Sequence, residues 1–360
     1  MVNTLQSRGI SGRTSILLDT LRVVAALTVV VFHATSQWLD AYPEAHEKLG
    51  KLSHAAVMLF FVLSGYVIAF STTRNNRGPK QYAIARLSRL YSIVLPALLL
   101  TAMVEFIVSH FDSTLAAQYV RGLALPRYAL SALFCNEVGL LSAAPAVNSP
   151  LWSLSYEFWY YVIFGCWFYR SCDKKLLLLL VGACLIAGPK ILLLMPVWIF
   201  GVVAYQLPRP ALSAEMGWLV VSFFIVVAGF VALYAPVLPY DLGNKPLFLS
   251  NQFLTDWLVG ILFSVALWLL PEAGQSMKGA GVKLLRTCGD LSFPLYVFHY
   301  PLFILWRVLF GWQANNMGQM SVAIGVVVMA TLPLGLLAEK SRSHWALFFA
   351  GIIRIGSSWW

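Results

Sequence analysis

ILLDTLRVVAALTVVVFHATSQW, residues 16–38, runs for 23 positions with only Asp19 and Arg22 formally charged and with His33 near its far end. About 20 apolar residues are needed for a helix to cross the hydrocarbon core of a bilayer. The stretch therefore reads as a membrane span carrying two polar interruptions. The whole chain repeats the pattern. Of its 360 residues, 59% are hydrophobic and 11% charged, whereas a soluble domain carries about 25% charged residues to solvate its surface. That composition excludes aqueous enzymes, nucleic-acid binders and disordered chains.

Working outward from 16–38, the apolar runs predict further spans near 53–72, 83–109, 151–170, 175–188, 190–206, 215–235, 252–270, 288–310 and 320–339. The expected fold is all-α, a polytopic membrane bundle of about ten helices forming one domain over 1–360. The first 15 residues are polar, contain Arg8 and Arg13, and lead into a span with no cleavage site, so that span is read as retained. Charge then sets the expected orientation. With the N-terminus in the cytoplasm, 17 of the 25 Lys and Arg residues, Arg8 and Arg354 among them, fall inside. Six fall outside, Lys190 among them, and Arg22 and Arg307 lie within spans. Positive segments translocate poorly, so both termini are expected inside and the net charge of +10 is chiefly topological. The stretch 110–150 is long and apolar, and reads equally as a re-entrant piece over a cavity or as a surface loop. The five cysteines show no metal-ligand spacing, and no metal is expected.

An ionisable group inside a span is costly, and each is a site hypothesis. Those here are Asp19, Arg22, His33, Arg86, Arg89, Glu105, Glu157, Asp256 and His299. Arg22 and His33 lie eleven residues apart on one helix, three turns plus a small rotation, so they share a face about 16 Å apart along the axis. Arg22 is also spaced to pair with Asp19 at i,i+3. Arg86 and Arg89 share a face where the third span enters from the cytoplasm. Two guanidinium forks suit a diphosphate, although arginines there also follow from the positive-inside rule. Glu157 lies about seven residues into a span entered from outside, beyond Ser149-Pro150, which reads as N-cap and first-turn proline. Its aromatic neighbours Trp152, Tyr156, Trp159, Tyr160 and Tyr161 fit an interfacial belt. His299 sits between Pro294 and Pro301, which weaken the helix hydrogen bonds around it. Gly65, in Ser64-Gly65-Tyr66, permits close helix approach.

Five segments taken in order resemble the acyltransferase-3 family of integral membrane acyltransferases. They are LDTLRVVAALTVVVFH, FFVLSGYVI, RLSR, PLWSLSYEFWYYV and LSFPLYVFHYPL, covering about residues 16–310. The resemblance implies ten spans with cytoplasmic ends. It implies that His33 is the essential first-helix histidine, Arg22 its paired basic residue, Arg86 and Arg89 the Arg-x-x-Arg motif, and Glu157 the acid of the fourth span. Two features depart from the family pattern. Phe158 stands where many relatives have a second acid, and Pro294 interrupts the segment before His299. The resemblance is to the family's stand-alone form, and no appended esterase-like domain is expected.

The expected activity is O-acylation. Acetyl-CoA, or another acyl-CoA, docks from the cytoplasm on Arg86 and Arg89 and passes Arg22 to reach His33. There a hydroxyl of an extracytoplasmic or lipid-linked glycan receives the acyl group. His33 acts either as general base or as a transient acyl carrier, and Glu157 orients or offsets its ring. Tyr66, Trp152, Ser155 and His299 are expected to line the cavity. The bilayer expected is the bacterial cytoplasmic (inner) membrane. A proton-coupled transporter or lipid flippase using His33, Glu157 and His299 as a relay is the competing reading. No paired halves with matching broken helices support it.

Overall fold

A computed structural model of the chain describes residues 9–74, 76–272, 274 and 277–357. Arg8 and the side chain of Arg354, both counted as cytoplasmic above, lie outside the described part. The described residues form α1 Gly12–Trp38, α2 Pro43–Arg74, α3 Pro79–Phe111, α4 Ser113–Tyr119, α5 Ala124–Ala132 and α6 Trp152–Phe168. They continue as α7 Lys175–Gln206, α8 Ala214–Tyr234, α9 Phe253–Trp268, α10 Ala280–Phe310 and α11 Met317–Ser357. There is no strand among them.

Each predicted span falls on a helix. Seven of these helices are long and apolar enough to cross a membrane: α1, α2, α3, α7, α8, α10 and α11. The helices on the two remaining expected spans are shorter, α6 with 17 residues and α9 with 16, and of these α9 is the apolar one. The two short spans expected at 175–206 are one helical run broken at Gly188, where φ is 75°. A Cβ on Gly188 would stand 2.5 Å from the Gly139 Cα, so the left-handed kink and the close backbone approach both call for glycine. α11 continues well past the expected end at residue 339.

One further expectation changes. Ser149 does not cap the fourth span. Residues 146–151 form a short 3₁₀ turn, and α6 starts from Leu151 with no side-chain cap. As the single span expected at 288–310 implies, α10 runs as one helix through Pro294 and Pro301.

The chain forms two compact units. The first comprises 1–32, 43–76 and 192–292. In it α2 and the second half of α7 pack backbone to backbone. A Cβ on Gly65 would stand 2.1 Å from the Trp198 carbonyl oxygen, and one on Gly201 would stand 2.0 Å from that of Val62. Small residues permit this approach, which is a common source of packing energy between helices in lipid. Trp198 Nε1 donates to Ser64 Oγ at 3.2 Å across the same seam. α9 joins through Trp257 Nε1, which donates to the Leu193 carbonyl at 2.7 Å. Asp256 of α9 is buried and meets His54 Nε2 of α2 at 3.0 Å. Its other oxygen accepts from Gln252 at 2.9 Å.

The second unit comprises 33–42, 77–191 and 293–360. Here α11 lies along α3. Stretch 110–150, open in the sequence between loop and re-entrant piece, contains α4, α5 and the 3₁₀ turn. Asp112 caps α4 by accepting from Leu115 N–H at 2.9 Å. Val104, Val108, Leu115, Tyr119, Val147 and Ile304 close one buried core between these pieces, α3 and α10. Lys190, counted above as a loop cation, is fully buried. It donates to the Glu137 carboxylate, to Ser142 Oγ at 2.7 Å and to the Leu141 carbonyl. A buried ammonium needs such a complete set of acceptors, and these tie residues 137–142 to α7.

Candidate functional site

The second unit gathers most of the candidate residues into two clusters. The first surrounds His33. Its ring centroid lies 5.3 Å from that of His299 and 4.9 Å from that of Tyr300, the latter edge-on. α1 supplies His33 and α10 supplies the other two. Tyr300 in turn meets Tyr119 of α4 edge-on at 6.4 Å. Arg307, two turns further along α10, donates to Tyr119 Oη at 3.3 Å, and its guanidinium lies 4.8 Å from the Trp312 ring centroid. Burial holds the Tyr119 phenol above its ordinary pKa, keeping it neutral beside that cation. Stretch 110–150 thus reaches the neighbourhood of the histidines.

Proline chemistry fixes this part of α10. Pro301 has no N–H, so the Val297 carbonyl lacks its helical donor. Asn148 Nδ2 supplies one at 3.1 Å and bonds Thr101 Oγ1 at 3.0 Å as well. One buried amide therefore ties the 3₁₀ turn to α10 and α3. Next to it Tyr296 Oη donates to the Pro150 carbonyl at 3.2 Å and lies 2.8 Å from Ser153 Oγ.

The second cluster is built along α6. Ser153, Glu157 and Tyr161 follow each other at i,i+4 and share one helix stripe. The Tyr161 hydroxyl donates to the Glu157 carboxylate. The Arg86 guanidinium faces two aromatic rings, with centroids 5.6 Å away at Tyr82 and 6.0 Å away at Tyr161. Tyr82 Oη donates to the Tyr161 carbonyl at 2.9 Å. Arg89 also lies within electrostatic reach of the Tyr161 phenol. Beside them opens a cavity of about 280 Å³, lined by Tyr82, Arg86, Phe158, Tyr161, Cys166 and Tyr169 among others. Arg86 thus faces a cavity whose other walls are mostly apolar. Tyr296 lies within electrostatic reach of Glu157, and its ring is 6.3 Å from that of His299, so α10 adjoins both clusters.

The remaining candidates fall elsewhere. Arg22 belongs to the first unit and pairs with Asp19 at 3.4 Å. Gly289 leaves room for that pair, since a Cβ there would stand 2.9 Å from the Asp19 Cβ. Tyr66 is buried against Tyr205 in the first unit. Trp152 packs edge-on against Tyr156. Ser155 Oγ donates to the Phe134 carbonyl at 2.6 Å, joined there by Trp159 Nε1 at 3.0 Å. It is Ser153, two residues earlier, that turns towards Tyr296. Sequence reasoning passes over Ser153, Asn148, Tyr296, Glu137 and His54. The only signal for Ser153 is its i−4 spacing from Glu157. Asp256 stands out by its charge, but nothing in the sequence points to His54 as its partner.

Comparison with known proteins gives these clusters a family. Residues 16–339 match the family model described as an acyltransferase domain. An O-acetyl transferase from Shigella phage Sf6 is 27% identical over 305 residues, covering 79% of this chain and 83% of that protein. The acyltransferase MdmB of Streptomyces mycarofaciens is 25% identical over 354 residues, 89% of this chain and 87% of that protein. Protein 2 in the picA locus of Rhizobium radiobacter is 32% identical over 186 residues, 46% of this chain and 88% of its own length. No solved structure matches the chain. The match spans all five segments that carried the resemblance, and on it the chain belongs to the acyltransferase-3 family and is an O-acyltransferase with membrane-spanning helices.

Proposed function

We propose that the protein transfers an acyl group, acetyl by default, from cytoplasmic acyl-CoA to a hydroxyl of an extracytoplasmic or lipid-linked glycan at the bacterial inner membrane. The observation that carries this reading is the pairing of His33 with His299 inside a helical unit that also holds the arginine cluster. Arg86 and Arg89 bind the donor's phosphates through their planar donor forks. Arg22, on the same helical face as His33, assists donor binding.

His33 is the group that receives the acyl. A neutral imidazole nitrogen attacks the thioester carbonyl, the C–N bond forms, the C–S bond breaks, and the thiolate leaves with the proton His33 gives up. Imidazole suits this role because its unperturbed pKa near 6.5 leaves much of it neutral at pH 7. Glu157 supplies negative charge to offset the transient imidazolium, as a carboxylate does in other histidine-dependent acyl transfers. Holding the acyl on a histidine separates the two half-reactions, so the donor is not required on the acceptor's side.

The test uses purified protein with acetyl-CoA and measures thiol release and acyl transfer. His33→Ala is expected to abolish both. Arg89→Ala is expected to raise KM for acetyl-CoA about tenfold or more while leaving turnover at saturation, as loss of uniform binding does. Full activity in His33→Ala would overturn the reading.

A further inference from the structure

His299 is fully buried, and its two nitrogens are treated very differently. Nδ1 lies 3.1 Å from the Leu295 carbonyl oxygen, one helical turn back. A carbonyl can only accept, so Nδ1 carries the hydrogen and donates it. In the neutral ring Nε2 is then a bare lone pair. That Nε2 atom is buried and makes no hydrogen bond. Buried acceptors are nearly always satisfied, and one left open calls for an explanation. Its surroundings sharpen the question. The ring lies 5.3 Å from His33, and the other rings around it, Tyr296, Tyr300 and Phe303, have centroids 6.1 to 6.3 Å away. A base with a fixed tautomer is thus held beside the group that carries the acyl.

We infer that His299 is the general base for the acceptor half-reaction, its Nε2 receiving the proton of the incoming sugar hydroxyl. The inference rests on the acyl-His33 reading above. The hydroxyl oxygen attacks the acyl carbon on His33 while its proton passes to His299 Nε2. The new O–C bond forms, the C–N bond breaks, and the electron pair returns to the His33 nitrogen. His299, now protonated at both nitrogens, gives its proton back to His33, and both rings are neutral again. Proline on either side suits this duty. Asn148 satisfies the carbonyl freed by Pro301, so the helix carrying His299 stays continuous and the Nδ1–Leu295 bond keeps its register.

The two half-reactions can be followed separately. Wild type, His33→Ala and His299→Asn are mixed with radiolabelled acetyl-CoA, and thiol release and protein-bound label are recorded. Glycerol is then added as the hydroxyl probe, and hydroxylamine in parallel. Asn at 299 keeps an N–H for the Leu295 carbonyl but offers no base. His299→Asn is expected to take up label within about threefold of the wild-type rate and to pass it to glycerol about a hundredfold more slowly, the lower range of general-base effects. Hydroxylamine, a nucleophile that needs little help in losing its proton, should discharge both proteins alike. His299→Phe, which preserves ring volume, should behave in the same way and replaces the Asn variant if that one fails to accumulate. Wild-type discharge rates in these variants would overturn the assignment. So would a parallel loss of labelling and discharge. Absence of label in the wild type would instead strike the acyl-His33 reading itself.

Discussion

Glu157 shows how a neighbouring residue can change the meaning of a motif. Its depth in a span makes it a site candidate, and its Tyr161 hydrogen-bond partner lies against the Arg86 guanidinium. Tyr161→Phe removes a hydrogen bond to a charged group and is expected to lower kcat/KM for acetyl-CoA by about 10- to 100-fold, in line with the roughly 1.5–3 kcal/mol such bonds contribute. Lys190 is the opposite case. As sequence it is an ordinary loop cation, but it is buried among Glu137, Ser142 and Leu141. Lys190→Met alone strands the Glu137 carboxylate, which burial already holds above its ordinary pKa. It should cost about 3–5 kcal/mol, whereas Lys190→Met with Glu137→Leu should recover most of that. Thermal unfolding in detergent distinguishes the two. Neither partner is legible in the sequence, because the pairing joins residues 53 positions apart through a kink.

Among the elements, the helices are the most legible part. Apolar runs of helical length locate them, and every predicted span lies on one. Their ends and breaks are less so, since those depend on partners. Pro294 and Pro301 weaken the ladder around His299, and at Val297 Asn148 supplies the donor that Pro301 lacks. Asn148→Ala should therefore destabilise the second unit by about 1–3 kcal/mol, the range for an orphaned buried group, and should expose α10 amides to faster hydrogen exchange. Gly65 is a point of close helix approach, as its place in the sequence predicts. With the Trp198 carbonyl 2.1 Å from where its Cβ would be, Gly65→Ala is expected to cost at least about 1–3 kcal/mol as overpacking. A lowered Tm with unchanged KM for acetyl-CoA would show the effect to be confined to packing.

On the scale of the whole molecule, scarcity of charge is informative. Large apolar side chains stand exposed along the helices, such as Leu178, Leu185, Phe223 and Phe230, as surfaces facing lipid require. The proposed orientation puts Arg77 inside and Lys245 outside. A cysteine at Lys245 should react with a membrane-impermeant maleimide in intact cells, and one at Arg77 should react only after permeabilisation. The reverse pattern would invert the sidedness. The route of the acyl group has a more immediate check. Purified protein is mixed with acetyl-CoA in the absence of acceptor, quenched, digested and read by mass spectrometry. One acetyl group should appear on the peptide containing His33, and none on that peptide in His33→Ala. Thiol release and transfer at wild-type rates without any acyl on His33 would contradict a histidine-borne intermediate.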